Sequence, residues 1–151
     1  MSTHMSVPAE DIAEVLGGQR VLGRRVQSMR ELDDIVREGM PKTALDTFIA
    51  LFIAPHHGVD FTVQLRNKIV PRATYQRVDR FNLQVGETTE RLARLYALAF
   101  SVFADREAAT QFLMNPHPEL DNRAPFDVAL TEIGGREVEE IIERGLHGLP
   151  A

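Results

Sequence analysis

The chain contains no cysteine. Disulfides and thiol nucleophiles are therefore excluded, and a cytoplasmic setting is the simplest expectation. Long apolar runs are missing as well. The longest, FIALFIA from Phe48 to Ala54, is far shorter than the ~20 residues that cross a bilayer, so no membrane partner is expected. The opening MSTHMSVPAE lacks the apolar core of a signal peptide. Positive charge is not in excess either: 17 Lys and Arg stand against 22 Asp and Glu, a net charge of −5. That balance argues against a general nucleic-acid coat and leaves room for a local basic patch. There is no long strand-like alternation, internal repeat or low-complexity segment. A glycine-rich phosphate loop and a G-x-S-x-G elbow are also absent.

What is present reads as helices punctuated by Gly, Pro and Asn. With 44% hydrophobic and 26% charged residues over 151 positions, the chain can pack one domain or two small modules that share a core. PAEDIAEVLGG places Ile12, Val15 and Leu16 at helical spacing and stops at Gly17-Gly18. RVLGRRV is open between a short strand and an arm; the basic group Arg20, Arg24, Arg25 and Arg30 reads more simply as a solvated surface than as a phosphate contact. SMRELDDIVREGMP carries a capping box, Ser28 and Glu31, and an apolar face of Leu32, Ile35 and Val36. KTALDTFIALFIAP is expected to continue as a buried helix up to Pro55. GETTERLARLYALAFSVFAD is the clearest helix, with Thr88 or Thr89 as its expected cap and a stripe of Leu92, Leu95, Tyr96, Ala99, Val102 and Phe103. DREAATQFLMNP should run from Asp105 to Asn115-Pro116, and APFDVALTEIGG from Pro125 to its two glycines. REVEEIIERG sets Val138, Ile141 and Ile142 on one side. The expected fold class is all-α, divided into an N-terminal arm with a short helix (1–25), a helical unit (26–104) and a smaller module (105–151).

Residues Phe61 to Phe81 have a helix-turn-helix layout. Phe61 and Leu65 point inward on the first helix, Asn67-Lys68 makes the turn with Asn in left-handed geometry, and Pro71 opens the second helix. Thr74, Tyr75 and Val78 would then face the core, with Arg72, Gln76 and Arg77 outward. Arg and Gln are the side chains that read guanine and adenine edges. Arg66, Lys68, Arg72, Gln76, Arg77 and Arg80 are thus the candidate DNA contacts in an otherwise acidic protein.

No set of side chains suggests catalysis. His56 and His57 are adjacent and expected to diverge, and no nearby Cys or i,i+4 His completes a metal site. His117, between two prolines, reads as a turn residue. The acids Glu137, Glu139, Glu140 and Glu143 read as a solvated helix face, with Arg136–Glu140 and Glu140–Arg144 as i,i+4 pairs. No catalytic residue, metal or cofactor is expected.

One ordered series of features remains. Phe112, Leu113, Asn115 and Pro116 are followed by Leu120–Arg123, then by Pro125-Phe126-Asp127, Thr131 and Gly134, and REVEEII with a later His-Gly. In this order they resemble the toxin-binding domain of the Xre/MbcA/ParS antitoxins. EGMPKTAL, IVPRATYQR and ERLARLYALAFSVFAD resemble the Xre-like helical part, so the resemblance covers about residues 30–151. Phe112 stands where the family usually has Trp, and Asp121-Asn122 replaces a Gly-Gly turn. The resemblance implies a non-enzymatic antitoxin that pairs through its helical part, with Leu92, Leu95, Tyr96 and Ala99 as the expected homodimer seam. It implies a RES-domain toxin as partner, acting on NAD by consumption or ADP-ribose transfer, and often repression of the antitoxin's own operon. The implied toxin contacts are Phe112, Asn115, Pro116, Arg136, Glu140, Arg144, Leu146, His147, Gly148, Leu149, Pro150 and Ala151. A stand-alone helix-turn-helix regulator and a small helical enzyme are the alternatives.

The apolar ending GLHGLPA is too small to anchor such a complex. Burial of Leu146 and Leu149 could contribute about 1.5–3 kcal/mol each. Ordering Leu146–Ala151 costs about 1–2 kcal/mol per residue. The tail therefore breaks even at best, and the helices before it must supply most of any interface.

Overall fold

The computed structural model describes residues 7–146, with Leu146 described by its backbone alone. In chain order the helices are α1 (Ala9–Val15), α2 (Gly18–Leu22), α3 (Met29–Gly39), α4 (Lys42–Ala50), α5 (Val59–Asn67), α6 (Arg72–Arg77), α7 (Leu83–Phe103), α8 (Arg106–Met114), α9 (Pro125–Val128) and α10 (Glu132–Leu146). A 3-10 turn at Pro118–Leu120 separates α8 from α9. Among the described residues there is no strand, only the isolated bridges Pro41–Arg80 and His117–Arg123. The all-α expectation holds.

α7 is the organising element: α10, α8, α1 and α3 all pack on it. It starts at Leu83 because the Asn82 side chain accepts from the Val85 N–H at 3.0 Å. This corrects the expected start at Thr88 or Thr89. Thr89 is instead buried within the helix, its hydroxyl donating to the Val85 carbonyl at 2.8 Å. Leu92, Leu95, Tyr96 and Ala99 are buried in the core of this one chain. The expected dimer seam on these residues is therefore corrected: their apolar area is already removed from water, so a second copy has nothing further to cover there.

The core runs through the whole described chain. Phe52 meets Phe48 at 5.1 Å, Tyr96 at 5.8 Å and Phe126 at 5.6 Å, each edge to face, the arrangement that the ring quadrupoles favour. Phe126 lies beyond the junction expected near residue 104. The chain does break there, with Ala104 left-handed at φ 54° and Asp105 capping α8 through the Glu107 N–H. Hydrophobic packing nevertheless continues across the break. At the other end Ile12, Leu16 and Leu22 are buried. Residues 9–22 are thus two packed helices, neither strand nor arm.

Two further boundaries differ from expectation. α4 stops at Ala50, not at Pro55. Proline disfavours helix in the residue before it, and the Ala54 N–H is taken by His57 Nδ1 at 2.8 Å. The segment from Pro125 does not run on to its glycines: α9 ends at Val128, and Gly134 and Gly135 lie in the first turn of α10. Thr131 Oγ1 accepts from the Gly134 N–H at 3.0 Å and opens that helix. A Cβ at Gly134 would overlap the Val128 carbonyl oxygen, so glycine is what lets α10 begin hard against the end of α9.

Candidate functional site

The C-terminal group, α8 to α10, is fastened to α7 by one buried arginine. Arg91 Nη1 donates to the carbonyls of Ala129 at 3.1 Å and Leu130 at 3.2 Å, and Nε donates to Glu132 at 3.3 Å. These carbonyls follow α9, where helix ends leave acceptors unsatisfied. A cation there also suits the helix dipole. Gly135 passes directly over the side chain; a Cβ on it would lie 2.7 Å from Arg91 Cδ. Burial pushes the Glu132 carboxyl up, but the hydrogen bond and charge of Arg91, joined by Arg136 and Arg94, outweigh it and hold the group below its ordinary range. Sequence reasoning missed Arg91. The available signal was a charged residue at core spacing, four and seven positions before the buried Leu95 and Leu98.

The turn between α8 and α9 is built from local hydrogen bonds. His117 Nδ1 accepts from the Glu119 N–H at 3.1 Å, and Asp121 and Asn122 are left-handed at φ 55° and 62°. His117 is thus a turn residue, and Asn122 has the geometry expected of it. Arg144, on the last turn of α10, pairs with Glu119. Arg136 pairs with Glu132 at 3.5 Å. The expected pairs of both arginines with Glu140 are corrected. Glu132 lies one turn before Arg136, and Glu119 reaches Arg144 from the neighbouring turn.

The structure gathers part of the resemblance-derived set. Phe112 is half-buried, with its ring 5.6 Å from Phe103 and 6.0 Å from His117. Asn115 and Pro116 are exposed beside it, and Arg144 joins this side through Glu119. Glu140 is exposed on α10. Arg136 stands eight residues before Arg144, about 12 Å away along a helix axis. His147, Gly148, Leu149, Pro150 and Ala151, and the Leu146 side chain, lie outside the described residues.

Asn115 and Met114 also border a groove of 830 Å³ whose other wall includes Phe52, Pro55, His56 and His57. The two histidine rings do not diverge as expected. Their centroids are 4.2 Å apart, because His57 stacks on Phe61 at 4.0 Å and is pinned by the Ala54 N–H. Among the described residues no group of three or more His, Asp or Glu is placed to hold a metal ion.

The α5–α6 pair departs further from its expected form. Its turn needs no left-handed residue: Asn67 ends α5 and Lys68 follows at φ −68°. Thr74, Tyr75 and Val78 are half-buried, and Arg72, Gln76 and Arg77 are exposed. The other three candidates are engaged within the chain. Arg66 lies 3.8 Å from the centre of the Tyr75 ring, with its Nε buried and without a hydrogen-bond partner. Lys68 pairs with Asp127 at 2.6 Å. Arg80 donates to the Gly39 carbonyl at 3.0 Å. Tyr75 is the hub: its hydroxyl donates to Asp46 at 2.7 Å, and Lys42 donates to its carbonyl at 2.9 Å. Burial and then Asp46 hold its phenol above the ordinary range. α6 has only six residues, a helix of about 9 Å, so it presents one short turn of readers.

The chain has no helix, among the described residues, long and apolar enough to cross a membrane. Residues 98–148 match the family model described as the antitoxin Xre/MbcA/ParS C-terminal toxin-binding domain. No curated protein matches the chain.

Proposed function

We propose that this chain, whose residues 98–148 match the Xre/MbcA/ParS antitoxin C-terminal toxin-binding domain, is an antitoxin that neutralises a RES-domain toxin by occluding the toxin's active-site cleft. The toxin would act on NAD, by degrading it or by transferring ADP-ribose. Residues 105–151 would engage it, with Phe112, Asn115, Pro116, Arg136, Glu140 and Arg144 on the docking face and Leu146–Ala151 as the segment that enters the cleft.

The observation that carries this reading is the packing of α10, whose Val138, Ile141 and Ile142 are buried along its length. Arg91 fixes its start, and its last turn is held by the Arg144–Glu119 pair and by Gly145 lying close to Val102 and Phe103. A helix held along its length supplies a rigid base for residues 146–151. Such a base raises the effective concentration of a short segment at the cleft, which offsets its small intrinsic affinity. Pro150 limits the freedom that this segment loses on binding.

Residues 26–104 would carry pairing and operator contact. A homodimer must use a surface other than the buried Leu92–Ala99 face. Operator contact would rest on the exposed Arg72, Gln76 and Arg77 rather than on Lys68 and Arg80, which are exposed but engaged with Asp127 and the Gly39 carbonyl, with backbone-phosphate attraction setting most of its strength.

The test is co-expression with the toxin encoded in the neighbouring reading frame. Deleting residues 146–151 should abolish protection while the complex still co-purifies; full protection by the truncated chain would sink the plug. In parallel, Arg72→Ala with Arg77→Ala should abolish operator retardation and leave protection intact. Operator binding by a chain that neither captures nor inhibits such a toxin would favour the stand-alone regulator.

A further inference from the structure

The C-terminal end of α7 carries an apolar surface that the described residues leave partly uncovered. Large apolar side chains in the middle of α7 are buried, but Phe100 is 47% exposed and Phe103 37% exposed. They stand one turn apart, on one side of the helix. Phe103 continues the surface onto α8, where Phe112 lies 5.6 Å away, and Phe112 hands it on to His117 at 6.0 Å. The last turn of α10 crosses the same place: a Cβ at Gly145 would meet Val102 at 3.5 Å and Phe103 at 3.9 Å. The strip therefore lies at the root of residues 146–151. Polar residues adjoin it along the chain: exposed Asp105 and Arg106 follow Phe103, and Arg144, paired with Glu119, precedes Gly145. An apolar centre with a charged rim is how protein interfaces are commonly built.

We propose that Phe100 and Phe103, extended by Phe112, form the anchor on which the toxin docks through an apolar patch beside its catalytic cleft, separate from the segment that inhibits it. The proposal rests on the antitoxin reading above and adds the division between anchoring and inhibition. Three observations favour the toxin over a second copy of this chain as occupant. The toxin-binding family match begins at residue 98, so it includes both phenylalanines although they belong to α7. The strip is continuous with Phe112 on α8, inside the same matched region. The segment proposed to enter the cleft starts beside Phe103. The rings also stand on an ordered helix, so covering them requires no new backbone order, in contrast to the tail.

The experiment compares three full-length chains against purified, catalytically inactivated toxin: wild type, Phe100→Ser with Phe103→Ser, and the chain lacking 146–151. Binding is read by titration calorimetry, inhibition by NAD turnover with active toxin, and folding by thermal melting. The double variant should melt as the wild type does and bind at least about tenfold more weakly, as loss of a central aromatic anchor does. The truncated chain should bind within about threefold of wild type and inhibit poorly, since a tail near break-even adds little affinity. Unchanged binding by a folded double variant overturns the anchor. So does a double variant that changes only self-association in sedimentation, which would assign the strip to a second copy. If the variant misfolds, wild-type chain bearing fluorinated phenylalanine decides the matter. The resonances of Phe100 and Phe103 must shift on adding toxin, and unshifted resonances overturn the proposal. A wild-type chain that fails to bind the toxin overturns the antitoxin–RES pairing instead, a result distinct from all of these.

Discussion

The α5–α6 pair and the α8–α10 group are held to the molecule by different means. α6 has no buried residue, and α5 buries only Leu65. Ile69 and Val70 between them are buried in the core, and the helices themselves add polar ties: Arg66 and Lys42 over Tyr75, Tyr75 on Asp46, and Lys68 on Asp127. The C-terminal group buries Ala109, Leu113, Leu120, Phe126, Val128, Val138 and Ile142, and Arg91 adds a buried polar tie. Where apolar area is scarce, cations take over the structural work and leave the set available to a partner. Where it is plentiful, charged residues such as Arg136 and Glu140 stay on the surface.

That contrast is most open to breaking at the tight end of the C-terminal group. Gly134→Ala should cause the largest loss, about 3 kcal/mol, because its methyl overlaps backbone and not a movable side chain. Urea unfolding would check it, and a midpoint within error of wild type would mean that α9 and α10 can separate freely. Arg91→Met should follow, at about 2 kcal/mol, since it keeps the aliphatic stem but strands the Ala129 and Leu130 carbonyls. Hydrogen exchange should then show α10 opening ahead of α3.

The α5–α6 side should respond less. Tyr75→Phe removes the hydroxyl bond to Asp46 but keeps the ring under Arg66. A cost of about 0.5–1 kcal/mol is expected in the same unfolding assay, at the low end for a hydrogen bond because Asp46 is exposed. The smallest effect is titration of Glu132. Its folded carboxyl is held below the ordinary 4.5, so its stabilising share is present above that value and is lost as pH falls through the depressed one. Glu132 is 58% exposed in its side chain, so solvent screens most of this share. Glu132→Gln should flatten the acid limb of the stability profile slightly and leave neutral pH unchanged in shape; a steeper acid limb would contradict the assignment.

Legibility followed the distance over which each feature is satisfied. The Ser28–Glu31 box, the Asp105 cap, the Asn115-Pro116 stop and left-handed Asn122 all appear where the residues implied. In each, donor and acceptor lie within a few positions, so composition alone selects the geometry. The same locality explains why the helical class and most helix boundaries could be read directly.

The cap of α7 shows the limit even of local reading, since Asn82 and Thr88 are both competent and only burial of Thr89 excludes the later start. Arg91 to Ala129, Lys68 to Asp127 and Arg144 to Glu119 join residues 38, 59 and 25 positions apart. The face of α7 that was expected to meet a second chain was amphipathic either way. Periodicity states that a face is apolar but not whether its cover comes from α1, α3 and α10 or from another copy. The amino-acid sequence by itself determined the helical class, the locally satisfied caps and the ordered features of the C-terminal region. Tertiary packing alone decided which cations remain free and which apolar side chains remain uncovered, because both depend on what the fold brings within contact distance.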